Sequence, residues 1–559
     1  MAIIDRLTEA VRAALGAAGL PVPGESGWEP PRQAGHGDYA TNVALVLARE
    51  AGRPPRQIAD LIVKHLPALP EVDRAEVAGP GFVNVFLSPL WCARQVPRIL
   101  ALGPRYGHGE GRRGERVRIE FVSANPTGPL VIVNARAAAV GDALARILRT
   151  QGADVTTEYY VNDAGNQAEA LARSFRARVR ELAHERRPEE LPVDTRLPEN
   201  GYPGEYLIEL ARCYLDEGGP VQLAGEREAA ELHRLGRYAI ERMVGEQRRV
   251  LEQYGVIFDV WSSEQKDVRD AGLPERAIEI LSKRSLTYEH DDALWFRSTA
   301  FGDDKDPVLR RSNGEPTYFA VDLAYHHYLK FGAADRVVTL VGPDHHGHVG
   351  RMRAAMQGLG HAPEALEVLL VQLVTLLRDG QPVKMSKRRG EFVLMEELLE
   401  EVGRDAARFT FLTRRHDSPL DFDLAVAARQ TTDNPVYYVQ YAHARIRSLA
   451  RQAIAQGIAV PAWDQMDTSV LTLAEEQQII KRLLQYPDMV AAAARAREPH
   501  RLAYWLQELA GLFHPYYKAH RVIQDDRALT TGRLALCLAV GQVVATGLDL
   551  LGVSAPESM

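Results

Sequence analysis

A chain of 559 residues is too long for one hydrophobic core, so its length alone points to three or four domains. Apolar residues make up 46% and charged residues 25%, which excludes a disordered or fibrous chain. The net charge of −7 excludes a global attraction for nucleic acid, yet leaves open a partner bound by local basic patches. The first segment, "MAIIDRLTEAVRAALGAAGL", carries acids and arginines at helical intervals and lacks the continuous apolar stretch of a signal peptide. No apolar run is expected to span a bilayer, and a cytoplasmic protein without a membrane partner is expected. Cys92, Cys213 and Cys537 form no CxxC pair, which suits buried thiols in a reducing compartment.

Residues 1–103 read as an α+β module. An amphipathic helix is followed by "HGDYATNVALVLAREAG" and by the alternating "AEVAGPGFVNVFLS". The stretch "GPRYGHGEGRRGER" reads as a linker. "VRIEFVS" is then a strand, "NPTGPLVIVNARAAAVGDALARIL" a turn and helix, and "ADVTTEYYVND" a second strand. Strand, helix and strand in one unit indicate a βαβ element of a parallel sheet. The proline-rich "RRPEELPVDTRLPENGYPGEY" opens an insertion expected over about 186–254. The alternation resumes with "PTYFAVDLAYHHYLKF", "DRVVTLVGPDHHGH" and "ALEVLLVQLVTLL", then a turn at Asp379-Gly380 and the basic loop "KMSKRRGEF". From about Asp417 long amphipathic helices dominate. The expected fold is multidomain α/β. An α+β N-terminal domain (1–103) precedes a Rossmann-type parallel-sheet core (117–416), and an all-α bundle (417–559) closes the chain.

Two stretches carry chemistry. The turn with Pro126, Gly128 and Pro129 precedes a helix N-terminus, where backbone N–H groups and the helix dipole suit a phosphate. "KMSKRRG" sets Lys384 and Lys387 around Met385 and Ser386, a loop able to neutralise a leaving pyrophosphate. The cluster Asp344, His345, His346 and His348 invites a metal reading. Neighbouring histidines on one short loop rarely close a tetrahedral shell, and no metal site is expected.

The KMSK tetrad resembles the second signature of class I aminoacyl-tRNA synthetases. More narrowly, "EFVSANPTGPL", "YYVNDAGNQ", "YPGEYLIELA", "FDVWSSEQ", "RSNGEPTYFAVDLAYH", "GPDHHGH", "DNPVYYVQYAHARIRSL" and the ending "ATGLDLLGVSAPESM" resemble bacterial arginyl-tRNA synthetase from about residue 36 to Met559. The resemblance implies a reaction: arginine and ATP, with Mg2+ accompanying the nucleotide, form arginyl-adenylate. The arginyl group then passes to the terminal adenosine of tRNA(Arg). In this family activation itself requires the tRNA, and a monomer is expected.

Residue by residue, Glu120, Ser123 and Asn125 match positions around the amino acid, and Tyr318 and Asp322 match positions that read the guanidinium. A carboxylate fork and an aromatic face suit that planar cation. Gly128, Asn134, Asp344, His346, Met385 and Ser386 fall around ATP, with Lys384 and Lys387 as the catalytic cations. Tyr39 and Asn42 are implied at the tRNA corner. Tyr441, Arg445 and the terminal Met559 are implied at the anticodon, where aromatics stack on bases and cations hold the backbone.

One departure stands out. The family's first signature, His-x-Gly-His, falls on Val131, Ile132, Val133 and Asn134. Val131 offers no side-chain donor, Val133 adds two methyls where glycine is usual, and Asn134 carries no positive charge. Loss of one preorganised donor costs about 10²–10³ in rate. A seat of backbone N–H groups survives any side chain, however, and both KMSK lysines remain. An arginine–tRNA ligase with compensated phosphate binding is therefore expected. The alternative is an activation-impaired paralogue that binds tRNA or arginine without charging.

Overall fold

The computed structural model describes residues 3–24, 27–29, 31, 35–186, 195–223, 225–343, 346–383, 393–458 and 462–559. The central sheet has five parallel strands: β1 (Arg116–Glu120), β2 (Asp154–Val161), β3 (Val260–Ser263), β4 (Arg336–Val341) and β5 (Leu366–Leu370). Their spatial order is β5-β4-β1-β2-β3, so the chain reverses direction across the sheet between β1 and β4. Open parallel sheets bind ligands at such a crossover, beyond the carboxyl ends of the strands. Val117, Ile119, Val337 and Val338 are buried, as strands covered on both faces require. Helix Ile132–Thr150 packs on one face through Ala135, Ala138, Ala139 and Ala143. Gly141 is required there, because a Cβ would meet the Phe121 ring at 2.2 Å.

Helices Gly165–Arg186, Glu205–Asp216 and Glu228–Gln253 share an apolar cluster built on Leu171, Phe175, Leu207, Tyr214, Leu235 and Met243. This helical unit begins at Gly165.

Ahead of the core, helices Ile3–Ala17, Val43–Ala51 and Pro55–His65 accompany a four-stranded antiparallel sheet. Behind it lie helices Pro435–Ala455, Ala474–Leu484, Tyr486–Ala496, His500–Ala519 and Arg527–Leu550. Arg527–Leu550 corrects one expectation. Its mean hydropathy reaches 1.5 over a bilayer-length window, but 67% of that window is buried in the protein, as in a core helix.

The junctions are polar. Fully buried Arg408 donates to Leu551 O at 3.0 Å and Tyr254 O at 3.2 Å and pairs with Asp142, which joins the core to the terminal helix. At the N-terminal junction the Tyr39 hydroxyl donates to Asp488 at 3.2 Å, and Lys481 pairs with Asp38 at 2.9 Å.

Candidate active site

β1 ends on Glu120, and the chain then turns through two residues of positive φ, Val122 at 71° and Ser123 at 39°. A branched residue in that region costs roughly 1–3 kcal/mol and persists where its surroundings over-determine it. Here they do. Ser123 Oγ accepts from the Tyr160 N–H at 3.1 Å, which ties the turn to β2. The next carbonyls are held in turn. The Tyr159 hydroxyl lies 3.1 Å from Ala124 O. Gln247 Nε2 donates to Asn125 O at 3.1 Å and to Gly128 O at 2.9 Å. The Tyr206 hydroxyl donates to Thr127 O at 2.5 Å. Gln247 is itself buried, with Oε1 at 2.8 Å from the Tyr159 hydroxyl. Asn125 stays exposed, and its Oδ1 accepts from Asn162 at 3.1 Å.

This frame sets the start of helix Ile132–Thr150. The Val131 N–H donates to Asn134 Oδ1 at 2.9 Å, the Asn134 N–H to Val131 O at 2.9 Å, and the Ile132 N–H to Val393 O at 3.2 Å. Met395 N–H donates back to Leu130 O at 2.8 Å, and Val131 bridges Leu394 in antiparallel register. The expected phosphate seat of backbone donors is thus largely engaged by the chain itself. The side-chain oxygen of Asn134 serves as a helix cap. The same pairing brings the exit of the basic loop against the first-signature turn. Lys384, Met385, Ser386 and Lys387 lie outside the described residues, as does Asp344. The backbone of His346 opens helix His346–Gly358, past the carboxyl end of β4. Gly128 has room, since a Cβ would stand 3.5 Å from the Tyr206 hydroxyl.

Arg136, on the second turn of that helix, is fully buried and donates to Gln372 O at 2.8 Å, Arg415 O at 2.9 Å and Ser418 O at 2.7 Å. Burial lowers its guanidinium to about 10. A cation surrounded by carbonyls fastens the signature helix to the segments at Gln372 and at Arg415 and Ser418.

On the other side of the crossover, helix Tyr318–Ala324 starts at the Thr317 cap, whose Oγ1 accepts from the Ala320 N–H at 3.3 Å. Tyr318 is 48% exposed, and its hydroxyl accepts from the Asn166 N–H at 3.2 Å. Gly165, at φ 77°, makes this approach possible; a Cβ would stand 2.6 Å from that hydroxyl. Asp322 Oδ1 lies 3.1 Å from His326 Nδ1. Glu120 is buried and accepts from Lys330 at 2.5 Å. Glu264 is held by Arg269 at 2.7 Å. The Tyr160 phenol is pushed far up by burial and then by the charges of Glu264, Asp322 and Glu120, so it remains a donor among carboxylates. Glu158, register neighbour of Glu120, is opposed by burial. It is nonetheless held below the usual carboxylate range by Arg118, at 2.6 Å, and by the charge of Lys330. The structure thus links Glu120 to Asp322 through Lys330 and His326, with Tyr318 one helical turn before Asp322 and Arg269 6.0 Å from the Tyr318 ring.

The outer surfaces divide the remaining candidates. Tyr39 is 1% exposed and its hydroxyl is engaged by Asp488, which corrects its assignment to the tRNA corner: a buried ring has no face for a nucleotide. Asn42 is exposed at the start of helix Val43–Ala51. Arg445 donates to the Tyr441 hydroxyl at 2.8 Å and lies 4.5 Å above the Tyr441 ring and 5.0 Å from that of Tyr517. Met559 is 50% exposed and lines a cavity of about 620 Å³ with Arg404, Arg429, Asn434, Tyr437 and Gln440. Arg447 donates to Glu557 Oε1 at 2.6 Å and Arg451 to Glu557 O at 3.2 Å, and both thereby hold the tail.

Sequence reasoning missed Gln247, Tyr159, Tyr206, His326 and Lys330. The first three act on a loop up to 122 positions away, and no local pattern marks them. The last two follow Asp322 at intervals of four, a visible spacing.

Three family models match the chain in order. The arginyl tRNA synthetase N terminal domain matches residues 5–87, the class I (R) tRNA synthetase catalytic domain 95–424, and the DALR anticodon binding domain 439–559. A methionyl-tRNA synthetase from Mycobacterium tuberculosis shares the fold at TM-score 0.55 and 13% identity, over 78% of this chain and 91% of that one. The crossover sheet and its catalytic-domain match define a class I aminoacyl-tRNA synthetase. The arginyl-tRNA synthetase of Thermus thermophilus superposes at TM-score 0.78 with 25% identity, covering 100% of both chains. An arginine–tRNA ligase from Desulforamulus reducens is 46% identical over 532 residues, 95% of this chain and 93% of that protein. One from Symbiobacterium thermophilum is 45% identical over 560 residues, 100% and 98% of the two. The chain belongs to the arginyl-tRNA synthetase family.

Proposed function

We propose that this chain activates arginine with ATP and ligates it to tRNA(Arg). The observation that carries the reading is the array at the β1–β4 crossover that links Glu120 to Asp322, with Tyr318 one helical turn before Asp322. In the first step a carboxylate oxygen of arginine attacks the α-phosphorus of ATP and the bond to pyrophosphate breaks. In the second, a hydroxyl of the terminal adenosine attacks the arginyl carbonyl and AMP leaves.

Glu120, Ser123, Asn125, Tyr318 and Asp322 hold the amino acid. Gly128, Asn134, Asp344, His346, Met385 and Ser386 surround ATP, and Mg2+ enters with its phosphates. With the backbone seat largely engaged, Lys384 and Lys387 carry most of the pyrophosphate charge. Asn42 faces the tRNA corner, while Tyr441, Arg445 and Met559 face the anticodon. The division of labour follows residues 1–103, 117–416 and 417–559, in a cytoplasmic monomer with no membrane partner.

Charging of tRNA(Arg) with labelled arginine, and ATP–pyrophosphate exchange with and without that tRNA, test the reading. Tight tRNA binding without either reaction overturns it in favour of a non-charging paralogue.

A further inference from the structure

Helix Tyr318–Ala324 runs into a π-turn, Tyr325–Lys330. Such turns are rare and concentrate at functional sites, because one wider turn re-aims the side chains that follow. Lys330 is fully buried. Its Nζ donates to Glu120 Oε2 at 2.5 Å and to Thr339 Oγ1 at 3.0 Å, and lies 2.8 Å from His326 Nε2. Glu120 and Thr339 are register partners across β1 and β4, so the ammonium sits on the crossover itself.

Three contacts use all three ammonium hydrogens. An ammonium accepts nothing, so His326 Nε2 must be the acceptor and the imidazole proton must sit on Nδ1. Nδ1 lies 2.9 Å from Asp322 O and 3.1 Å from Asp322 Oδ1, so that proton points at Asp322. Glu120, Lys330, His326 and Asp322 form one continuous array in which each contact pairs a donor with an acceptor. A buried ammonium is costly unless it is paired and fully hydrogen-bonded, and this one is.

We propose that Lys330 and His326 are positioning residues: one buried ammonium, acting through one neutral imidazole, fixes both carboxylates of the amino-acid pocket. The proposal rests on the reading of Glu120 and Asp322 as arginine ligands. Lys330 commits Glu120 Oε2 to the protein and leaves Oε1 as the oxygen that meets the substrate. It also holds the imidazole as the Nδ1–H tautomer, so His326 orients Asp322 without adding a second cation to a pocket for a cation.

The test uses full-length Lys330→Met, His326→Leu and His326→Gln in ATP–pyrophosphate exchange at saturating tRNA. An amide offers an acceptor and a donor at about the spacing of the two ring nitrogens, so Gln can take over the relay and Leu cannot. K330M and H326L are expected to raise KM for arginine at least tenfold with KM for ATP within twofold of wild type. H326Q is expected within threefold on both. Equal effects of Leu and Gln, or equal rises in both KM values, overturn the proposal. If K330M fails to fold, the His326 pair decides alone, since it leaves the ammonium in place. Nitrogen NMR of histidine-labelled protein, with the His326 signal identified by its loss in H326Q, reads the tautomer without any reaction. An Nδ1–H imidazole is expected and an Nε2–H imidazole overturns the relay. A wild type that shows the Nδ1–H tautomer but does not use arginine defeats the proposed function and leaves the relay standing.

Discussion

Replacing Gln247 by Leu removes the side chain that holds the first-signature loop from beneath. Its Nε2 spans two loop carbonyls, Asn125 O at 3.1 Å and Gly128 O at 2.9 Å. A net buried hydrogen bond contributes about 1 kcal/mol, and a carbonyl left without a donor costs about 1–3 kcal/mol. Both bonds are only part-buried, so each carbonyl is taken at about 1–2 kcal/mol, and the loss comes to about 2–4 kcal/mol, concentrated on a loop already strained at Val122 and Ser123. If that energy appears as misplacement of the loop, kcat/KM falls about 30- to 1,000-fold at 1.36 kcal/mol per decade. ATP–pyrophosphate exchange at varied arginine measures it. A melting curve run in parallel checks that the rest of the chain stays folded. Tyr206→Phe removes a single donor, that to Thr127 O, and is expected to cost about tenfold. A folded Gln247→Leu enzyme within threefold of wild type refutes the view that these carbonyl anchors position the site.

Three further outcomes are expected. Burial raises the Asp488 carboxyl from 3.8 to about 6, against the opposing hydrogen bond from Tyr39. A raised carboxyl stabilises below its unfolded value and loses that stability as pH rises through about 6. Asp488→Asn should therefore raise stability at pH 7.5, by at most about 3 kcal/mol, by about half as much at pH 5, and hardly at all below about pH 3.5, read from melting curves. Arg408→Met removes one of the two guanidinium partners of buried Asp142, the other being Arg146 at 2.9 Å, and strips the donors from Leu551 O and Tyr254 O; it should cost about 3–5 kcal/mol in urea unfolding. The triple change Val131→His, Val133→Gly and Asn134→His should alter charging less than tenfold. It also sacrifices the Asn134 cap on Val131, worth about 1 kcal/mol in the melt, and a hundredfold gain in charging would show the tetrad to be a defect.

Local features were legible in the sequence. The βαβ order around β1 and β2 follows from period and turn residues. Asp379-Gly380 does form the two-residue turn, with φ 50° and 76°, between Arg378 and Gln381. Tyr318 and Asp322 stood out through the family resemblance, with which their spacing of four on one helix face agrees. What failed was everything decided by a distant partner. Tyr39 reads as an aromatic near a polar helix start, yet its hydroxyl answers to Asp488, 449 positions away. Arg527–Leu550 reads as part of a helical bundle, and only packing distinguishes its apolar length from that of a bilayer span. The backbone donor of Val131 is taken locally by Asn134 Oδ1, while that of Ile132 looked available because Val393, which engages it, lies beyond the basic loop.

That last contact bears on the altered signature. In a turn formed by side chains, replacing two histidines and a glycine would destroy the site's geometry. This turn is held by other means: the Leu130–Ile132 backbone pairs with Val393–Met395, and its loop carbonyls are gripped by Gln247, Tyr206 and Tyr159. A valine at position 131 suits a β-bridge position, and the side-chain oxygen of Asn134 caps the helix. Shape is therefore preserved while donors are lost, and the two contributions separate. Positioning stays with the frame, which also holds the chain where it leaves the basic loop at Val393. It follows that changes at Gln247 should damage this enzyme more than changes at Val131, the reverse of what the signature alone would suggest.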